Sequence, residues 1–421
     1  MNAILEVHLA PVAVGTIELS SSGERIFRFS SAYLDLPNRP VLGQWFEDKD
    51  LESPFIGREA LPDFFANLLP QGQLRKYLAR RLGLRERQDF YLLGALGRDL
   101  PGAVVVQFSA PNEVSRRADT ERRRDKLKPR FDETYHFSLA GFQIKFSMNE
   151  VDGRLTLPAK TMTGRYIVKL PDVVRPNVNH QDLPETEWSM LEWARLCGID
   201  VPEARLEPLT NVQVAYDELP PLNGTRALVV KRFDRDGDRR IHQEDFAQVF
   251  GVDPDDKYAE RDQARRSRAH QIESLAAVLH AIDAASSREL VRRIVFMILC
   301  GNEDAHLKNW ALLYDVPQGV RARLSPAYDL VSTIAYQGNP SPRLALRLGG
   351  ERDADKVRLE SFTGLASRLG ESFVTVREWV LEDVERMLAC FAAEQASWPL
   401  PAFAREALEK HIGRVALARA R

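Results

Sequence analysis

An aspartate, Asp304, stands five residues before an asparagine, Asn309, in the run Cys300-Gly-Asn-Glu-Asp-Ala-His-Leu-Lys-Asn309, and a second aspartate closes Ser325-Pro-Ala-Tyr-Asp329. Phosphoryl transfer of the kinase type calls for this set. One carboxylate accepts or orients the proton of the incoming hydroxyl, and an amide oxygen with another carboxylate holds Mg²⁺ against the phosphates. An isolated Asp-x4-Asn carries little weight, because both residues commonly cap helices or make Asx-turns. Here the order supplies the weight: an apolar helix, then Asp304, His306, Lys308 and Asn309, a hairpin, and Asp329.

The elements that must position these groups are readable around them. Leu290 to Cys300 is an apolar run of helical character that stops at Gly301, anchoring the loop in the core. Trp310–Tyr314 and Val320–Leu324 read as two strands joined across Pro317-Gln-Gly319, a hairpin that returns Asp329 to the side of Asn309. Upstream, Lys169 sits in the strand-like Tyr166-Ile-Val-Lys-Leu170, where apolar neighbours make an unpaired ammonium costly. In a kinase lobe such a lysine reaches the α- and β-phosphates and is held by a carboxylate from the next helix, for which Glu187 is the candidate. Lys231 and Phe233 fall where the chain turns from strand-rich to helical, the place for an adenine-binding hinge. No G-x-G-x-x-G loop precedes Lys169. Phe137 to Phe146 stands there instead, offering Ala140, Gly141 for close backbone approach, and Lys145 for charge. With His306 and Lys308 these complete the expected ATP site.

A chain of 421 residues suggests two or three lobes. Its apolar fraction of 44% suffices for a packed core, and a net charge of −2 argues against obligate binding of polyanions by the whole molecule. Cys197, Cys300 and Cys390 lie scattered in apolar helical runs, without disulfide or zinc spacing. Neither a signal peptide nor a membrane-spanning run is evident, so the expected compartment is the cytoplasm.

The expected division is an α+β unit over 1–110, a charged linker over 111–134, a strand-rich small lobe over 135–233 and a mostly helical large lobe over 234–421. In the first unit, strands near residues 3–9, 14–19, 26–30 and 103–108 surround helices over 60–69 and 73–82. The small lobe has strands near 155–158, 165–170, 212–216 and 227–233, with a helix over 185–197. Arginines and lysines from Arg116 to Arg130 read either as a solvated linker or as a contact to nucleic-acid phosphates.

Four segments carry a family resemblance: Ser138-Leu-Ala-Gly-Phe-Gln-Ile-Lys145, Arg240-Ile-His-Gln-Glu-Asp245, Gly301 to Asn309, and Ser325 to Asp329. Together they resemble the HipA family, serine/threonine kinase toxins of type II toxin–antitoxin systems. Phe64-Phe-Ala-Asn-Leu-Leu-Pro70 and Gly102-Ala-Val-Val-Val106 are similar to that family's N-terminal subdomain, so the resemblance spans nearly the whole chain. It implies a two-lobed protein-kinase-like α+β fold, ATP and Mg²⁺ as cofactors, Asp304 as the catalytic aspartate, Asn309 and Asp329 as metal ligands, and Lys169 on the ATP phosphates. It further implies Ser138 as an autophosphorylation site in a mobile loop. A small helix-turn-helix antitoxin of the HipB kind is the implied partner, repressing its own promoter with the toxin, and an aminoacyl-tRNA synthetase the implied substrate.

Phe142 and Met297 depart from the family pattern, placing a large ring in the Ser138 loop and a thioether where an asparagine is common. Two other functions fit the residues. One is a small-molecule phosphotransferase, the other a catalytically weak co-repressor acting through a DNA-binding antitoxin. Glu244 and Asp245 read as caps of a helix starting at Phe246, or as residues that position a substrate loop.

Overall fold

The protein is described by a computed structural model covering residues 3–109, 144–158, 163–173, 182–214, 221–258, 271–314, 321–337 and 342–420. Apolar residues alternate along Ala3–Leu9 (β1) and Val12–Leu19 (β2), which pair antiparallel and bury Leu5, Val7, Leu9, Val14 and Ile17. Arg25–Phe29 (β3), Phe55–Gly57 (β4) and Val104–Phe108 (β5) complete a sheet in the order β4-β3-β2-β1-β5. Its inner face packs on a cluster of aromatics, Phe27, Phe46, Phe64, Phe65 and Phe90 among them. A helix was expected over 60–69, but Pro62 begins only one turn, Asp63–Ala66, after which the backbone leaves the helix near Asn67. The helix Gly72–Arg81 lies close to its expected span, whereas Asp89–Leu96 gave no usable periodicity because it is apolar nearly all round.

Lys145–Val151 (β6), Arg154–Thr156 (β7), Tyr166–Lys169 (β8), Ala204–Pro208 (β9) and Arg226–Lys231 (β10) form a second five-stranded sheet, ordered β7-β6-β8-β10-β9. Of the strand expected near 212–216, the described residues 212–214 show an isolated bridge from Val212 to Leu155. The helix Leu183–Leu196 lies against β10 and β9, and turns its other side to the large core. There Trp193 meets Phe296 at 5.0 Å between ring centres and donates to the carbonyl of Met387.

The last lobe is built on Ile272–Ile282, Ser287–Leu299, Phe373–Glu394 and Ala402–Arg414. It is less purely helical than expected. Gln243–Asp245 adds a third strand to the hairpin, pairing with Ala311–Tyr314, and Arg343–Leu348 pairs with Glu351–Asp353. Three-residue strands such as Gln243–Asp245 are too short to show a period. Among the described residues, no helix is long and apolar enough to cross a membrane.

Candidate active site

The helix Ser287–Leu299 buries Leu290, Val291, Ile294, Val295, Ile298 and Leu299, and ends at Gly301 in the left-handed conformation, φ +64°. A methyl group on Gly301 would lie 2.5 Å from Ile334 Cδ1, so close packing and dihedral both select glycine. The loop that follows closes on itself. Asn302 Oδ1 accepts from the Asp304 backbone at 2.8 Å, Asn309 Nδ2 donates to the Asp304 carbonyl at 2.8 Å, and Trp310 Nε1 donates to the Ala305 carbonyl at 3.1 Å. Met297, which removes the family asparagine, receives Asn302 Nδ2 on its sulfur at 3.3 Å, and the same amide reaches the Asp329 carbonyl at 3.4 Å. Asn302 thus ties the Asp304 loop to the segment bearing Asp329. It stood in the motif, yet its side-chain role had no sequence signal.

The hairpin Ala311–Tyr314 with Ala322–Leu324 returns the chain as its spacing required. Beyond it, Arg293 donates to the Ser325 carbonyl at 2.6 Å and Tyr328 donates to the Lys308 carbonyl at 2.9 Å, which fixes Asp329 beside the loop. Asp329 has φ +54°, a conformation aspartate tolerates at some cost and one that gathers at functional sites.

Lys169, in β8, places its ammonium between Glu187 Oε1, from the helix Leu183–Leu196, and Asp329 Oδ1. Both Lys169 and Glu187 are buried, and Asp329 is partly open. Burial opposes the charge on Lys169, but Asp329 and Glu187 outweigh it and raise its pKa. Burial likewise acts against an ionised Asp329, and Lys169 with Lys145 holds it below the usual carboxylate range. For Glu187 burial prevails over Lys169, and its pKa is raised. Lys145 pairs across β6 and β8 with Lys169 and is exposed at the mouth of the cleft.

Burial pushes Asp304 up to about 6, although a hydrogen bond from Tyr258 and the charge of Lys257 work the other way. A quarter of its side chain is still exposed, which tempers the burial effect. His306 is buried and its pKa lies well below the ordinary imidazole range, through burial first and then Lys257 and Lys308, so the ring is neutral. Tyr258 and Lys257 had drawn no attention in the sequence, since no motif surrounds them.

Two residues expected at the nucleotide lie elsewhere. Lys308 clamps the N-terminal unit: its ammonium donates to Asn67 O at 2.7 Å, Asn67 Oδ1 at 3.0 Å and Asp245 Oδ2 at 2.8 Å. Three donors are thereby used, so we correct its assignment to phosphate. The Lys231 side chain turns outward to Glu203 at 2.7 Å, and its backbone N–H donates to the Glu203 carbonyl at 2.9 Å. Phe233 is half-buried against Tyr328, 5.7 Å between ring centres. Ser138, Ala140, Gly141 and Phe142, and the stretch from Arg116 to Arg130, lie outside the described residues.

The motif Arg240 to Asp245 resolves into two functions. Asp245 caps the helix Phe246–Phe250 in a reciprocal box with Gln248, as its acidity suggested. Glu244 does not cap that helix; it is fully buried, accepting from Tyr314 Oη at 2.6 Å and, at 3.0 Å, from Gln44 N, the first N–H of the short helix Gln44–Glu47, and burial pushes it up to about 8.

As a donor set, Asp329 and Asn309 suit a hard cation. The first is an ionised carboxylate, and the second, spending its NH₂ on Asp304, keeps its amide oxygen for a ligand.

Comparison with known proteins follows the same lines. The HipA N-terminal domain matches residues 5–107 and the HipA-like C-terminal domain residues 137–395. The chain belongs to the HipA family. It is 38% identical over 428 residues to the putative kinase Y4dM of Sinorhizobium fredii, covering 99% of this chain and 98% of that protein. To the serine/threonine-protein kinase toxin HipA of Shewanella oneidensis it is 25% identical over 396 residues, covering 87% and 83%. The fold is that of HipA as solved from Shewanella oneidensis MR-1 with HipB and operator DNA: TM-score 0.70, 20% identity, 99% of this chain and 97% of that one. The HipA-family fold is thus a two-lobed, kinase-like α+β architecture carrying an N-terminal subdomain.

Proposed function

We propose that this HipA-family protein is an ATP-dependent kinase that phosphorylates serine or threonine on a protein and acts as the toxin of a toxin–antitoxin pair. The observation that carries the reading is the meeting of Lys169, Glu187 and Asp329 from three separate elements, beside a loop that ties Asn309 to Asp304. A lone scaffold gains nothing from ionised groups so deeply placed, which burial alone would make costly.

In this reading Lys169 neutralises the ATP phosphates and Glu187 aims it. Asn309 and Asp329 would hold Mg²⁺, which when bound offsets phosphate charge. Asp304 accepts the proton of the incoming hydroxyl, and a pKa of about 6 leaves it largely ionised at neutral pH yet able to take that proton. His306, neutral and buried, backs the loop without adding charge.

Ser138 is the proposed site of self-inactivation, on the family resemblance of its segment, since a phosphate there brings nearly two negative charges that would repel bound ATP. A HipB-like helix-turn-helix antitoxin is the proposed partner, on the likeness to the Shewanella HipA solved with HipB and operator DNA. The proposed substrate is a translation-related protein such as an aminoacyl-tRNA synthetase, and the proposed compartment the cytoplasm.

Replacing Asp304 tests the core of the proposal. Asp304→Ala should abolish radiolabel transfer from ATP to protein while ATP still binds. Undiminished transfer would remove Asp304 from the chemistry.

A further inference from the structure

The carboxylate assigned to the incoming hydroxyl already carries one. Tyr258 follows the turn Pro254–Asp256, and its phenol donates to Asp304 Oδ1. The ring is fixed edge-on against the buried His306 imidazole, 4.9 Å between centres at 80°, and the Lys257 ammonium lies 5.4 Å from its centre. Its approach to the loop is also fixed from behind. The turn descends from the helix Phe246–Phe250, whose capping residue Asp245 is gripped by Lys308 of the catalytic loop itself. Tyr258 is therefore held to the loop at its ring, and the helix upstream of its turn is held to the same loop through Asp245.

We propose that the Tyr258 hydroxyl occupies the acceptor position at Asp304 as a tethered guard, which keeps water from serving as acceptor until a substrate hydroxyl displaces it. The inference rests on the reading of Asp304 as the proton acceptor in phosphoryl transfer. In that step the incoming oxygen bonds to the γ-phosphorus, the bond from phosphorus to the β,γ-bridging oxygen breaks, ADP leaves, and the hydroxyl proton passes to Asp304. Serine, threonine and water all present one O–H to the carboxylate, and so does a phenol. They compete for Oδ1, the oxygen that the phenol holds. With a quarter of the Asp304 side chain open to solvent, water has access to the group, and the phenol already holds one of its two oxygens. A substrate peptide brings binding contacts of its own with which to push the ring aside, and water brings none.

Tyr258→Phe keeps the ring and its contact with His306 and removes only the donor. In a full-length Ser138→Ala background, which removes the proposed self-phosphorylation, the variant given Mg-ATP and no protein acceptor should release ADP about fivefold faster than the same protein with Tyr258 intact, the factor that corresponds to one ordinary hydrogen bond. Its affinity for ATP should be unaltered. An unchanged rate overturns the guard, and a slower one overturns it too, making Tyr258 a positioning residue for Asp304. Asp304→Asn, measured alongside, separates the two layers of the argument. If it hydrolyses ATP as fast as wild type, the reading of Asp304 falls and the guard with it. If it is inactive while Tyr258→Phe merely equals wild type, only the guard falls.

Discussion

Replacing Lys308 by methionine asks whether this lysine serves the nucleotide or the architecture. Methionine keeps an unbranched apolar stem of similar length and removes the ammonium, which donates to Asn67 O, Asn67 Oδ1 and Asp245 Oδ2 between 2.7 and 3.0 Å. The two charged side chains are only 15% and 14% exposed, so solvent replaces little of what is lost. Breaking a buried pair on one side can cost about 3–5 kcal/mol when it strands the other charge. Asp245 is not stranded, because Gln248 N still donates to it at 2.9 Å. The expected loss is therefore about 2–3 kcal/mol of stability, within the range of charge-assisted hydrogen bonds. Urea denaturation followed by circular dichroism reads it, and calorimetric titration with an ATP analogue reads the other side. Affinity for the nucleotide should hold, whereas a lysine lost from a phosphate weakens binding about tenfold or more. Unchanged stability together with such a loss of affinity would refute the clamp and return Lys308 to the nucleotide.

Asp329→Asn should lower ATP affinity about tenfold or more in the presence of Mg²⁺ and little in its absence, because a neutral oxygen replaces an ionised ligand while the Lys169–Glu187 pair persists; titration with and without Mg²⁺ checks it, and an intact Mg²⁺ enhancement would put the metal elsewhere. Glu244 has its folded pKa raised from 4.5 to about 8, so its share of stability is complete below the unfolded value and drains as pH rises through the folded one. Wild-type unfolding free energy should fall by up to about 1.4 kcal/mol per pH unit within that window, and Glu244→Gln should flatten the fall; parallel pH curves for the two proteins would contradict it. Ser138→Ala should stay active after prolonged incubation with Mg-ATP while wild type loses ATP binding; mass spectrometry showing phosphate only at other residues, with activity still decaying, would clear Ser138 of the switch.

The sequence was most legible where local chemistry dictates local structure. Gly301 stops its helix because only glycine accepts φ +64° there against Ile334, and alternating apolar residues announce β1 and β2. The hairpin was legible from the two short runs flanking Pro317-Gln-Gly319, and with it the return of the chain to the Asp304–Asn309 loop, where Tyr328 bonds the Lys308 carbonyl. What escaped were relations between distant segments. Lys308 stands within the catalytic run, yet its partner is Asn67, 241 residues away. Glu244 looks like a cap from its neighbours and is a buried acceptor because of Gln44. Tyr258 reaches Asp304 across 46 residues with nothing in its surroundings to mark it. Propensity describes neighbours in sequence, and these roles are set by packing.

Those distant relations share a direction, and it explains why the chain keeps an N-terminal subdomain on a kinase-like body. That subdomain grips both lobes. On one side Asp99 accepts from Arg232 at 2.9 Å and Arg235 at 3.0 Å, where β10 leaves the small lobe. Asp234 there accepts from Gly102 N at 2.8 Å, and Arg232 also reaches Ser147 of β6. Burial acts to raise Asp234, but Arg232 and Arg235 hold it below the usual carboxylate range, so the group is a locked ion cluster. On the other side Asn67 holds Lys308, Gln44 holds Glu244, and Gln248 donates to the Phe64 carbonyl at 3.1 Å, all within the sheet and helix that carry the catalytic loop. Opening the cleft by rotating one lobe against the other must stretch one of these seams. Each is made of buried, directional polar contacts that cannot slide as apolar surfaces do, and breaking either leaves a charge or acceptor without water. The lobes that carry Lys169 and Asp304 are thus joined from outside as well, by a third body that bonds to both.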